Sequence, residues 1–169
     1  YRLLAEKPVH VYAYYGKAQE VMLLLREYGV DVPFIASPRQ WRVLNVLSKY
    51  GYNIRDVYLD GTTDANEIRA NGWYIAFHHH TKFYSLRNLR SVHHVLLSGW
   101  LFSTPIRRLN GNSWIVGFSD HADFDELIAY VDEARPRLII VDGFRGGITA
   151  QRFANYVEKE LGIKSLVKP

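Results

Sequence analysis

The sequence predicts an α/β fold in which a parallel-rich sheet is covered by helices. Three observations lead there. Apolar runs of strand length alternate with longer segments whose apolar residues recur at helical spacing. Glycine and proline punctuate the boundaries between them. Hydrophobic residues make up 48% of the 169 positions and aromatics 14%, enough to build a packed core. Strands alternating with helices build parallel sheets buried on both faces.

Taken in order, "VHVYAYY" (Val9 to Tyr15) reads as a strand ended by Gly16. "KAQEVMLLLREYG" follows as a helix with Ala18, Val21, Met22, Leu25 and Tyr28 on one face and Gly29 as its stop. "VPFIAS" is the next strand. Pro38 then takes a first-turn position in a helix over "RQWRVLNVLSKYG", ended by Gly51. Gly61 to Gly72 reads as an irregular connection with at most a helical turn. "WYIAF" and "HHVLLS" are strands, joined by a loop with a short helix. "SWIVGFS" is a strand, and "DFDELIAYVDEARP" a helix whose Asp123 and Glu126 have capping-box spacing. "RLIIVD" is the last expected strand. A final helix, "ITAQRFANYVEKELG", has Ala150, Phe153, Ala154, Val157 and Leu161 as its apolar face.

Composition excludes several classes. There is no cysteine, so disulfides and thiolate zinc sites are ruled out; any metal must use His, Asp, Glu or water. No run of about eighteen uninterrupted apolar residues predicts a membrane span. The first twenty residues do not read as a signal peptide, and a cytoplasmic location is expected. The chain does not begin with Met and is read as a piece of something longer. The formal net charge of +4 is compatible with a nucleic-acid partner without establishing one.

Open parallel sheets bind ligands beyond the carboxyl ends of their strands. Junctions of that kind follow Tyr15, Leu97, Phe118 and Val141. At the third, "GFSDHADFDELIAYV", an apolar strand ends in Ser119–Asp120–His121 before a helix. His121 can bind a metal or pass a proton, with Asp120 and Asp123 as partners. Read locally, a capped turn fits this junction better than a metal site. Ser98–Gly99 ends the second strand, where a hydroxyl and close amides could hold a phosphate oxygen; a tight turn with Trp100 packed behind is the favoured local alternative. Arg107 and Arg108, read as lying near a turn in an exposed loop, could contact phosphate or simply be solvated. "HHHTK" does not form a metal site, because successive residues of an extended chain face opposite ways. His93 and His94 carry the same limit, and one of them is expected to face an interior or an interface. No Walker loop, dinucleotide fingerprint or GxSxG elbow occurs.

In order along the chain, Gly16–Lys17–Ala18–Gln19–Glu20, Ser98–Gly99–Trp100 and Ser119–Asp120–His121–Ala122–Asp123 resemble the "GRAQE", "SG" and "SxHxD" motifs of β-CASP metallo-β-lactamase-fold nucleases. The similarity is greatest to the ligase-associated exonuclease and Artemis-like groups. The resemblance implies a β-CASP-like region over 1–110, followed over 111–169 by the closing strands and helices of a metallo-β-lactamase fold. It implies metal-dependent phosphodiester hydrolysis, with zinc as the metal, in the intact protein. His121 then matches a catalytic histidine beside the metal, and Ser98, Gly99 and Ser119 match positions near phosphate. Asp142, in "VDG", stands where RNA-processing members carry His; it is either a metal ligand or the mark of a lost one.

The family's HxHxDH motif is absent from this chain. A zinc nuclease must polarise phosphate and activate water, which one His and one Asp do not do. The expected reading is therefore a fragment of a DNA or RNA nuclease that supplies a substrate clamp and part of the active site. Alone it would be inactive and would hold no metal. Its partners would be nucleic acid, the missing N-terminal half in cis or in trans, and a further copy of itself through exposed apolar surface, with no membrane. The alternative is a non-catalytic nucleic-acid-binding or scaffold homologue.

Overall fold

The computed structural model describes residues 1–101 and 103–169. It has two compact units, Tyr1–Asp120 and His121–Pro169.

The first unit is a seven-stranded sheet with flanking helices. Along the chain come β1 (Val9–Ala13), α1 (Lys17–Glu27), β2 (Phe34–Ala36), α2 (Pro38–Lys49), β3 (Val57–Leu59), α3 (Thr63–Asn71) and β4 (Ile75–His79). A 3₁₀ turn (His80–Lys82) and α4 (Phe83–Leu86) lead to β5 (His93–Ser98), and a hairpin of β6 (Ile106–Asn110) and β7 (Ser113–Gly117) completes the sheet. The strand order is β3-β2-β4-β1-β5-β7-β6. All neighbours are parallel except β6, which runs antiparallel to β7. The expectation of an α/β fold with a parallel-rich sheet holds, with β6 as its antiparallel edge strand.

Strand β1 is buried at every position because it lies inside the sheet with both faces covered. Its odd-numbered residues, Val9, Val11 and Ala13, pack with Met22 of α1, Leu44 of α2 and Phe34 and Phe77 of the neighbouring strands. On the opposite face Ile35, Tyr74 and Ala76 pack under α3 through Ala65 and Ile68. The Tyr12 ring meets Phe83 edge-on, at 5.4 Å between centroids.

Three elements depart from expectation. Residues 63–71 form a helix rather than an irregular connection. Only Ala65 of that helix is fully buried, so it has no apolar stripe to read. Its ends did carry a signal: Thr62 Oγ1 accepts the Ala65 N–H at 3.3 Å, and Gly72 closes the helix in the left-handed region at φ 72°. Arg107 and Arg108 lie in strand β6, not in a loop. All five residues of β6 are exposed, so the strand rests on backbone pairing with β7 and shows no alternation. Strand β3 has three half-buried residues, too few for a periodic signal.

The second unit comprises α5 (Phe124–Ala134), β8 (Ile139–Asp142), α6 (Gly143–Tyr156), a π-helical turn (Val157–Leu161) and β9 (Ser165–Lys168). Strands β8 and β9 pair in parallel. Val131, Val157 and Ile163 are its buried apolar centre, with Ile128, Ile139 and Phe153 against them. The capping box forms as the spacing predicts: Asp123 Oδ1 accepts the Glu126 N–H, and Glu126 Oε2 accepts the Asp123 N–H, both at 2.9 Å. The last helix starts earlier than its apolar pattern. A helical turn from Gly143 precedes a kink at Gly147, whose φ of 50° and ψ of −130° only glycine takes easily. The expected periodic helix follows that kink. Among the described residues, no helix is long and apolar enough to cross a membrane.

Candidate nucleic-acid interface

Three motifs far apart in sequence meet at one end of the first unit's sheet. Strands β1, β5 and β7 are adjacent and parallel, so their carboxyl ends lie side by side. Gly16–Lys17 follows the first, Ser98–Gly99 ends the second, and Ser119–Asp120 follows the third. The Phe118 N–H donates to Ser98 O at 3.0 Å, which locks the last two junctions together.

Each contact at this end has a local cause. Gly16 adopts φ 89° and ψ −71°, a conformation costly for any residue with a Cβ, and its N–H donates to Gln19 Oε1 at 2.9 Å. A Cβ placed on Gly16 would come within 3.6 Å of Asp120 Oδ2. Lys17 is buried, and its Nζ lies 3.3 Å from Asp120 Oδ1. A Cβ on Gly99 would lie 3.4 Å from Ser119 Oγ, within van der Waals contact, so the two turns stand side by side. The Trp100 N–H donates to Ser98 Oγ at 3.2 Å, which makes Ser98 a turn-former as well as a candidate phosphate contact. Trp100 is 86% exposed, against the expectation of a ring buried behind the turn.

Arg107 and Arg108 occupy the sheet's edge strand, where charge discourages pairing with another sheet edge. Arg108 is committed locally. It donates to Asn110 O at 2.9 Å and to Gly111 O at 2.8 Å, and its guanidinium stands 5.4 Å from the Trp114 ring centre. Arg107 is exposed, with no ion-pair partner among the described residues. It is therefore the better placed of the two for a phosphate.

In the second unit, His121 is exposed and leads into the turn before α5. Asp142 ends β8 and caps α6, its Oδ1 accepting the Phe144 N–H at 2.9 Å. Among the described residues no group of three or more His, Asp or Glu side chains is arranged to hold a metal ion. The described residues do not by themselves make up a zinc centre.

Histidine clustering that the sequence did not reveal lies on the sheet face beneath α3 and α4. His94 donates from Nε2 to Leu89 O at 2.9 Å, so the neutral ring accepts at Nδ1 from the Tyr12 hydroxyl at 2.8 Å. His78 Nε2 and His10 Nδ1 share a hydrogen bond at 3.1 Å. Burial, joined by the neighbouring His78, lowers the His10 pKa to about 3. Burial also lowers the His78 pKa to about 4, against the opposing pull of Asp60. Both His93 and His94 are buried, where one was expected to be. Alternate positions of separate strands converge here, a pairing that strand spacing within one segment cannot disclose.

Residues 107–169 match the family described as "Zn-dependent metallo-hydrolase RNA specificity domain". The match is confined to this part of the chain, beginning within β6 and running through the second unit. A 44-residue stretch is 50% identical to a protein of Acidianus ambivalens described as "Uncharacterized protein in lig 3'region". The stretch covers 26% of this chain and 31% of that relative.

Proposed function

We propose that this chain is the nucleic-acid-binding portion of a Zn-dependent metallo-hydrolase, holding a phosphodiester strand rather than cleaving it unaided. The observation that carries the reading is the meeting of Gly16–Lys17, Ser98–Gly99 and Ser119–Asp120 at one sheet end. Ser98, Gly99 and Ser119 there offer hydroxyls and turn amides to phosphate oxygens, with Arg107 adding charge from the edge strand. The family description over 107–169, which names RNA specificity, supports a nucleic-acid ligand. In this reading 1–110 is β-CASP-like and 111–169 closes a metallo-β-lactamase fold whose other half, in cis or in trans, brings the zinc ligands. Exposed Ile140, Phe144 and Ile148 in the second unit support a covering partner, that half or a second copy. A ligase-associated or Artemis-like grouping and a cytoplasmic location go with it.

The test is binding to single-stranded RNA and DNA oligonucleotides across a salt series. Affinity should fall linearly on a log–log plot as salt rises. Arg107→Gln should lower the slope by about 0.7–0.9, one phosphate contact, while melting like the parent chain. Salt-independent binding, or none to either nucleic acid, would remove the reading.

A second reading rests on the Ser119–Asp120–His121–Ala122–Asp123 motif itself: in the intact protein His121 would act beside the scissile phosphate, with Asp142 a candidate metal ligand. In the intact protein, His121→Ala would then lower turnover by about a hundredfold or more while leaving most binding. Turnover equal to the parent's would leave only the binding role.

A further inference from the structure

A separate cavity of about 660 Å³ opens at the carboxyl ends of β1, β2 and β4. Arg39 and Arg42 of α2, Arg69 of α3 and Lys82 of the 3₁₀ turn bring four positive charges to its walls, against the single carboxylate of Asp60. Asp60 is already engaged, at 2.8 Å from Arg69 Nη2. Arg39 stands over the Tyr15 ring at 4.7 Å. Among the described residues, Arg42 and Lys82 form no ion pair. Four cations gathered around one cavity repel one another, and an anion between them relieves that repulsion. The wall is not uniformly polar: Leu86 and Leu89 line one side. The volume falls within the range of small-molecule sites, and the mixture of guanidinium forks with an apolar wall fits a phosphate carried on a less polar body.

We propose that this cavity binds a nucleoside monophosphate, with the phosphate between Arg39, Arg42 and Lys82 and the nucleoside against Leu86 and Leu89. The monophosphate comes either from a free mononucleotide or from the phosphorylated end of a strand; the second source rests on the nucleic-acid reading above. The cavity shares no residue with the Ser98, Ser119 and Arg107 surface.

Calorimetric titration of the full chain with AMP, adenosine and inorganic phosphate tests this. AMP should bind, and adenosine should not. Arg39→Gln combined with Arg42→Gln should weaken AMP by about tenfold or more, as expected when charge-assisted hydrogen bonds are lost. Both arginines are exposed, so the fold should survive, and Lys82→Gln on a different element should weaken AMP as well. Arg107→Gln should leave AMP binding unchanged, which separates this site's failure from that of the strand-binding surface. Displacement of AMP by a 5′-phosphorylated oligonucleotide, but not by its unphosphorylated twin, assigns the site to strand ends. Displacement by neither assigns it to free nucleotide. No AMP binding, equal binding of adenosine, binding indifferent to these substitutions, or equal displacement by both oligonucleotides would overturn the proposal.

Discussion

Lowering the pH from 7.5 to 5 should destabilise the first unit by about 4 kcal/mol, before most carboxylates titrate. The effect comes from His10 and His78. Both are held neutral by burial, with pKa values of about 3 and about 4, against 6.5 for the unfolded side chains. The unfolded chain therefore takes up protons below about pH 6.5, and the folded chain does not until about pH 4. Where the unfolded state binds more protons, stability rises with pH, so it must fall as pH drops through this window. At pH 5 each histidine lies about 1.5 pH units below its unfolded value, or roughly 2 kcal/mol. His94, also lowered first by burial, acts in the same direction. Urea unfolding at the two pH values measures the difference. His78→Asn should remove close to half of it; an unchanged unfolding midpoint between pH 7.5 and 5 would show that the histidines are hydrated or paired.

Asp120→Asn should cost about 2–3 kcal/mol, because it leaves the ammonium of Lys17 buried without the carboxylate 3.3 Å away. Lys17 is 5% exposed and has little access to water as a substitute. Removing both charges avoids that penalty. Lys17→Met in the Asp120→Asn background should therefore be more stable than Asp120→Asn alone, with a coupling energy of about 1–3 kcal/mol in a double-mutant cycle. Additive effects would mean that the pair does not hold the β1 and β7 junctions together. The prediction bears on function because the same ion pair fixes the turn that presents Ser119. A structural loss there should weaken strand binding even though neither residue need touch the strand.

Much of the fold was legible where burial imposes a period. Helices α1 and α5 followed from apolar residues at helical spacing, α2 from Pro38 at its start and Gly51 at its stop, and the cap at Asp123 from its Glu126 partner. Elements without a buried stripe escaped. Helix α3 buries only Ala65 fully, and every residue of β6 is exposed. Of the candidate site, the motifs themselves were readable, because Gly, Ser and Asp at strand ends carry a turn chemistry visible in one dimension. Their use was not: Arg108 spends its donors on the hairpin turn, and Asp142 caps a helix.

The sequence by itself determined the alternation of strands and helices, the absence of cysteine chemistry and the three polar junctions, since each depends on residues near one another in the chain. Strand order was decided only in three dimensions. Placing β1 beside β5, and β5 beside β7, brought Lys17 to Asp120 and Gly99 to Ser119. The same order set His10, His78 and His94 together in the interior and gathered Arg39, Arg42, Arg69 and Lys82 around one cavity. Backbone pairing and burial select that order over the whole sheet, so no local spacing of residues encodes which side chains finally meet.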